Sequence, residues 1–344
     1  MRYIRQEIFK EIGKKGQQKL RKSTVAIIGL GALGSVSAEL LARAGIGKLI
    51  LVDRDIIELS NLQRQSLFEE SDVGKAKAAQ AKERLNKINS DVKINFFVDD
   101  LNHNNIESMI SMEHSNNIKS NKKLKNKKSY VDLILDCTDN QETRLLINDF
   151  CVKNKIPFVY SSAVGSKGYV FDIVPNENNP CLRCFLKGTA PLDTCETIGV
   201  LNTITSIISS IQVNEAMKIL LKKNYEKQLL HFDVWKNELL RIKVNKSPNC
   251  VCCVKNNFEY LNGKKSSRII KLCGQGIYQI NAKPMDKNQF NNLKNILKKI
   301  GKVADFGYCI NFGNNITIFN NGRALIKARD EKEAKSLYSK FVGN

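Results

Sequence analysis

The chain has 344 residues, and its hydrophobic content of 42% is enough to fill a core, which excludes wholesale disorder. No apolar run is long enough to cross a bilayer, and the charged opening Met1-Arg2-Tyr3-Ile4-Arg5-Gln6 lacks the apolar centre of a secretory signal, so the expected location is cytoplasmic with no membrane partner. A formal net charge of +21 invites a nucleic-acid reading. Much of that excess is lysine accompanied by abundant asparagine, and part of it sits in the polar stretch 118–128. An acidic protein partner is therefore preferred and nucleic acid disfavoured, because a basic field steers either kind of anion.

In chain order, residues 1–22 read as a helical arm. Thr24-Val25-Ala26-Ile27-Ile28 is a continuous β-rich run ending in glycines, as a buried parallel strand does. A helix over Ser35–Ala44 and a second buried strand, Lys48–Asp53, complete a βαβ unit. An exposed helix over Asp72–Asn89 follows, then a strand at Lys93–Val98, a helix at Asn102–Met112 and a low-complexity polar insertion at 113–129. Strands at Val131–Asp136 and Pro157–Tyr160 flank a helix running through Cys151. Alternating strands and helices predict an α/β fold, a Rossmann-like, doubly wound and mostly parallel sheet. Tyr169–Val174 starts an antiparallel extension, and Asn202–Lys222 reads as a long buried helix. The first domain is placed at 1–262. Gly263–Ser267 is the best linker, and 268–344 reads as a small α+β domain with strands near Ile269 and Tyr278. That domain continues with a helix over Asp286–Lys299, a type I′ hairpin at Asn321-Gly322, and a last helix over Asp330–Phe341.

Gly29-Leu30-Gly31-Ala32-Leu33-Gly34 lies between strand and helix. There, missing side chains let a phosphate approach backbone N–H groups at a helix N-terminus. Asp53 ends the next strand, placed for two ribose hydroxyls. Alone, this fingerprint favours a dinucleotide, and glycines that merely allow close helix–strand packing are the alternative. The next segment, Glu58-Leu59-Ser60-Asn61-Leu62-Gln63-Arg64-Gln65, is denser in polar groups than a dehydrogenase needs. Together with Asp136-Cys137-Thr138-Asp139-Asn140, Val73-Gly74-Lys75-Ala76-Lys77 and the opening Arg2-Tyr3-Ile4-Arg5-Gln6, it resembles the ThiF/MoeB family of ubiquitin-activating-type adenylyltransferases over about residues 2–254.

The resemblance implies ATP-dependent adenylation of the C-terminal glycine carboxylate of a small ubiquitin-like sulfur-carrier protein, with release of pyrophosphate. Such chemistry serves molybdenum-cofactor or thiamine biosynthesis, tRNA thiolation or protein modification. The resemblance further implies that Gly29, Gly31, Ala32 and Gly34 cradle the phosphates, with Ala32 standing where many relatives carry glycine. Asp53 holds the ribose, and Asp55, Ser60, Asn61, Arg64, Lys77 and Asn140 belong to the same nucleotide-binding set. Asn61, Arg64 and Lys77 screen charge during attack at the α-phosphorus, Asp139 binds Mg2+, and Arg5 reaches in from the second subunit of a homodimer. Lys75 is a second lysine in the same segment. Attack of an anion on a polyanion needs fixed cations and no general base.

Cys181-Leu182-Arg183-Cys184 and Cys250-Val251-Cys252-Cys253 supply thiolates at knuckle spacing, the pattern of a closed structural zinc site, with a redox pair or an iron–sulfur cluster as alternatives. Cys250 with Cys252 remains an alternative second pair, while family spacing favours Cys250 and Cys253. Cys195 precedes the long helix, where a thiol becomes nucleophilic, and the resemblance gives it a thioester or sulfur-transfer role. Cys137 and Cys151 read as core, and His103, His114 and His231 take no role. For the tail, a docking or dimer-contact role is expected. A rhodanese domain would be larger and would present its cysteine in a loop, whereas Cys309 falls in a strand. Competing functions are an NAD-dependent dehydrogenase, adenylation of a tRNA-borne carboxylate, and a catalytically silent partner subunit.

Overall fold

The structure, a computed structural model, describes residues 2–111, 130–186, 198–265, 269–271, 276–280, 285–313 and 315–343. The expected insertion at 113–129, together with His114, Cys195 and Cys273, lies outside the described residues. The chain divides into two compact units, one comprising Met1–Val73 with Lys77–Ser266, the other Gly74–Ala76 with Ser267–Asn344.

The first unit is built on an eight-stranded sheet. Its strands are β1 (Thr24–Ile28), β2 (Lys48–Val52), β3 (Lys93–Phe97), β4 (Leu133–Asp136), β5 (Phe158–Val164), β6 (Lys167–Ile173), β7 (Leu229–Asp233) and β8 (Glu238–Ile242). They lie in the order β3-β2-β1-β4-β5-β6-β7-β8. The first five are parallel, and the β5–β6, β6–β7 and β7–β8 pairs are antiparallel. This is the expected Rossmann-like arrangement with an antiparallel extension. Alternation along each buried strand divides the core into two layers. Val25, Ile27, Leu49 and Leu51 pack with helices Ala32–Ala44, Lys77–Ile88 and Asn202–Leu221. Ala26, Ile28, Ile50 and Val52 face the other way, toward helices Ile106–Ile110 and Gln141–Asn154.

Three expectations need correction. The arm is two short helices, Ile4–Ile8 and Gly13–Leu20. The helix expected over Asp72–Asn89 starts only at Lys77. Glu70–Asp72 is a 3-10 turn, and the helix is not exposed, since Lys77, Ala78, Gln80, Ala81 and Leu85 are buried. The sequence shows amphipathic spacing there, yet the layer over β2 and β3 buries one whole face.

The third correction concerns the second unit, a six-stranded antiparallel sheet in the order β11-β12-β13-β14-β10-β9. Its strands are β9 (Ile269–Lys271), β10 (Ile277–Ile280), β11 (Val303–Asp305), β12 (Cys309–Phe312), β13 (Ile316–Phe319) and β14 (Ala324–Lys327). Tyr278, Ile280, Ile310, Ile318 and Ile326 form its core with Phe290 and Leu297 of helix Lys287–Ile300 and Ala334 and Tyr338 of helix Glu331–Phe341. The β13–β14 hairpin is not the two-residue type I′ turn, which needs two residues at positive φ. Only Gly322 has one, at 88°. Phe319 N–H donates to Arg323 O, and Gly322 N–H donates to Phe319 O, so the loop has three residues with glycine in the left-handed position.

Buried Asp172 on β6 has its carboxyl pushed up to about 9, first by burial and then by Glu215, with Lys218 opposing. A carboxyl held protonated in the fold favours folding below the unfolded carboxylate pKa near about 4. That contribution is lost as pH rises toward about 9. Asp172→Asn is therefore expected to stabilise the protein by about 1–3 kcal/mol at pH 8, and by clearly less at pH 5. Thermal melts at the two pH values check this, and an equal effect at both would refute it.

Candidate active site

The glycines of the loop differ in the space around them. Gly29 has φ 87°, and a Cβ there would lie 2.8 Å from Cys137 O; one on Gly34 would lie 1.8 Å from Gly29 O. These two glycines serve the close approach of strand, loop and helix, the packing role weighed for the loop as a whole. Gly31 is different, because a Cβ there would meet only Gln65 Nε2, at 3.9 Å. Gly31 precedes helix Ala32–Ala44, and no side chain caps the helix N-terminus. The backbone there is open to an anion. Gly34→Ala is expected to cost stability in a thermal melt, by about 2 kcal/mol or more. Gly31→Ala should leave the melt nearly unchanged and weaken nucleotide binding in a titration.

Next to this loop lies a charge cluster at the ends of β2 and β4. Asp53 is 8% exposed and accepts from Leu30 N–H at 2.6 Å and Asp55 N–H at 2.7 Å. It thus fixes the loop's shape with both carboxylate oxygens. Burial pushes its carboxyl up, against the opposing pull of Lys77. Lys77 opens its helix, is 7% exposed, and places Nζ 3.5 Å from Asp55 Oδ2. Burial works to lower the Lys77 pKa, but Asp55, Asp53, Asp139 and Glu58 together hold it above the ordinary value. Lys77 therefore stays charged at neutral pH, amid four carboxylates.

Arg54, which sequence reasoning passed over, belongs to the same field. Its guanidinium lies 2.9 Å from Asp100 Oδ1 and 3.8 Å from Asp55 Oδ1. Burial opposes its charge, while Asp100, Asp55 and Asp139 raise its pKa. The available signal was an arginine between two aspartates directly after a buried strand.

The other expected residues are arranged less uniformly. Asp139 is exposed in the loop after β4. Asn140 is the N-cap of helix Gln141–Asn154, its Oδ1 accepting from Glu142 N–H at 2.8 Å and Thr143 N–H at 3.3 Å. That oxygen is committed to the cap. Arg144 of the same helix donates to Thr138 O and stacks 5.1 Å from the Tyr160 ring, which fixes the Asp139 loop. Ser60 and Asn61 belong to a 3-10 turn, Leu59–Asn61, whose capping box pairs Glu58 with Asn61. Arg64 folds back, donating to Ser60 O at 3.0 Å. Ala32 is the first residue of its helix.

The opening motif splits into anchors and an exposed cation. Tyr3 is buried, its hydroxyl accepting from Asn89 Nδ2 at 2.7 Å, and Gln6 Nε2 donates to Ala44 O at 2.9 Å. Arg5 is exposed on helix Ile4–Ile8.

Away from this loop, the sulfur atoms of Cys181, Cys184, Cys250 and Cys253 lie within 4.8 Å of one another. The Cys181–Cys250 and Cys184–Cys253 Sγ pairs are each 3.6 Å apart. A tetrahedral zinc with bonds of about 2.3 Å has sulfur–sulfur edges of about 3.8 Å, so the four thiols fit zinc. The choice left open at the second knuckle falls on Cys253. The Cys252 sulfur instead accepts from Asn148 Nδ2 at 3.2 Å. Cys137 and Cys151 are buried, as expected, and burial pushes the Cys137 thiol up to about 12.

The ThiF family profile matches residues 3–253. The chain belongs to the ThiF family. This ThiF-family chain is 38% identical to the sulfur carrier protein ThiS adenylyltransferase of Bacillus subtilis (strain 168), over 99% of each chain. It is 34% identical to the molybdopterin-synthase adenylyltransferase of Escherichia coli (strain K12), over 74% of this chain and 96% of that one. Its fold is similar to the crystal structure of E. coli MccB with ATP, at a TM-score of 0.60 and 22% identity over 74% of each chain, a likeness of fold alone. The ThiF-family chain is an adenylyltransferase, and the dehydrogenase reading of its glycine loop falls away. Among its described residues, no helix is long and apolar enough to cross a membrane.

Proposed function

We propose that this chain adenylates the C-terminal glycine carboxylate of a small ThiS-like sulfur-carrier protein. The observation that carries the reading is a buried, charged Lys77 beside a backbone cradle open at Gly31, in a chain matching a ThiS adenylyltransferase end to end. The bare N–H groups before helix Ala32–Ala44 receive phosphate, Asp53 shapes the loop, and Lys77 with Arg64 and Asn61 screens the charge that builds as carboxylate meets α-phosphate. Arg54 holds the surrounding acids in place. Asp139 carries the Mg2+ that accompanies pyrophosphate. Arg5 serves the second subunit of a homodimer, because Tyr3 and Gln6 pin its helix and leave the guanidinium outward.

Zinc occupies the four-thiol cluster as a structural ion. Cys195 receives the activated acyl group: its thiolate attacks the acyl carbon, a C–S bond forms, the C–O bond to the adenylate breaks, and AMP leaves. The C-terminal unit serves docking or dimer contact.

The deciding experiment is ATP–pyrophosphate exchange with each small Gly-Gly-ending protein of the same organism, with and without Arg64→Ala. Exchange supported by a ThiS-like carrier and reduced by the substitution is expected. No exchange with any carrier, or exchange untouched by the substitution, would overturn the proposal.

A further inference from the structure

Helix Gln141–Asn154 touches both candidate centres. Its N-terminal end, capped by Asn140 and tied through Arg144 to Thr138 O, fixes the loop that presents Asp139. Asn148 lies eight residues along from Asn140, about 12 Å at 1.5 Å per residue. It is fully buried and uses both ends of its amide. Oδ1 accepts from Leu182 N–H, inside the first cysteine knuckle, at 2.9 Å. Nδ2 donates to the Cys252 sulfur, inside the second, at 3.2 Å. One side chain thus holds two segments that are 69 positions apart in their cysteine pairs. The neighbouring Asp149, also fully buried, accepts from Tyr260 N–H at 2.9 Å and lies 3.9 Å from Arg183 of the first knuckle. Between the two ends, Leu146, Ile147, Phe150 and Cys151 are packed into the sheet's core, so the helix is a rigid element.

We propose that Asn148 is a positioning residue that couples the four-thiol site to the nucleotide site through this helix. The inference rests on the ATP and zinc readings above. With the knuckles closed, Asn148 and Asp149 seat the helix, and its capped end holds the Asp139 loop in place. With the knuckles open, the seat is lost at one end and the loop loosens at the other. Coupling of binding free energies is reciprocal, so nucleotide must in turn retain the metal.

The test follows zinc release from the full-length protein into a chromogenic chelator, with and without a non-hydrolysable ATP analogue, beside calorimetric titration of the analogue. Asn148→Leu, which removes both hydrogen bonds, is expected to speed zinc release by about tenfold and to weaken the analogue by about fivefold. Asn148→Asp keeps the acceptor for Leu182 and should fall between. At equilibrium with the chelator, wild-type protein saturated with analogue should hold zinc several-fold more tightly, a measurement that needs no variant to fold. Faster zinc release from Asn148→Leu with unchanged analogue affinity, or wild-type zinc affinity indifferent to the analogue, overturns the coupling. Absence of zinc, or of analogue binding, in the wild type would instead overturn the readings beneath it.

Discussion

Lys77→Ala is expected to lower the rate of carrier-dependent ATP–pyrophosphate exchange by about 100-fold or more. The size follows from what the ammonium group offsets. Asp55, Asp53, Asp139 and Glu58 all act on Lys77, and Asp53 and Lys77 are both buried, where charges interact strongly. Removing the cation leaves an already acidic cluster more negative where it must face a polyphosphate. Lys77→Arg keeps the charge in a larger head and should recover part of the rate. Because the acids hold the Lys77 pKa above its ordinary value, no loss of rate from lysine deprotonation is expected between pH 7 and pH 9. Exchange within threefold of wild type for Lys77→Ala, in protein with an unchanged melt, would falsify this assignment.

The second large effect concerns the cysteines. Purified protein is expected to hold one zinc per chain. Cys253→Ser should lose most of it, and Cys252→Ser should keep it. Structural zinc in small domains contributes about 10–16 kcal/mol of apparent binding energy, so losing one of four thiolates costs a large part of the local stability. The expected melt is a clear drop for Cys253→Ser and a small one for Cys252→Ser, whose hydroxyl still receives the Asn148 amide proton. Metal analysis of both variants decides the matter. Equal retention of zinc by both would place the second knuckle's partner at either thiol and contradict the geometry.

Arg54 and Asn148 show why part of the site was not legible in the chain. Nothing in the spacing of Asp53-Arg54-Asp55 indicates that the arginine turns toward Asp100, because that pairing depends on where β2 and the loop after β3 end. Asn148 reads as an ordinary helical residue until Leu182 and Cys252 arrive from far along the chain. Arg64 shows the reverse. It stands out in its motif, but its guanidinium is folded onto Ser60 O, so its motif and not its present contacts argues for a role.

The sequence by itself determined the parallel sheet, the glycine loop and its acid, the knuckle spacing and the family. All of these are carried by short-range pattern: strand and helix periods, glycines at a turn, and motifs in order along the chain. Tertiary structure alone decided which glycine is open and which are packed. It also decided which carboxylates surround Lys77, and it places Cys253, which the family spacing already favoured, with the other three thiols. Those outcomes depend on side-chain direction and on segments meeting across the fold, where a change of one position along the chain turns a side chain toward different neighbours. The opening resemblance therefore stands, and the structure adds the geometry within it: Gly31 is open, Gly29 and Gly34 are closely packed, and Cys253 lies with the other three thiols.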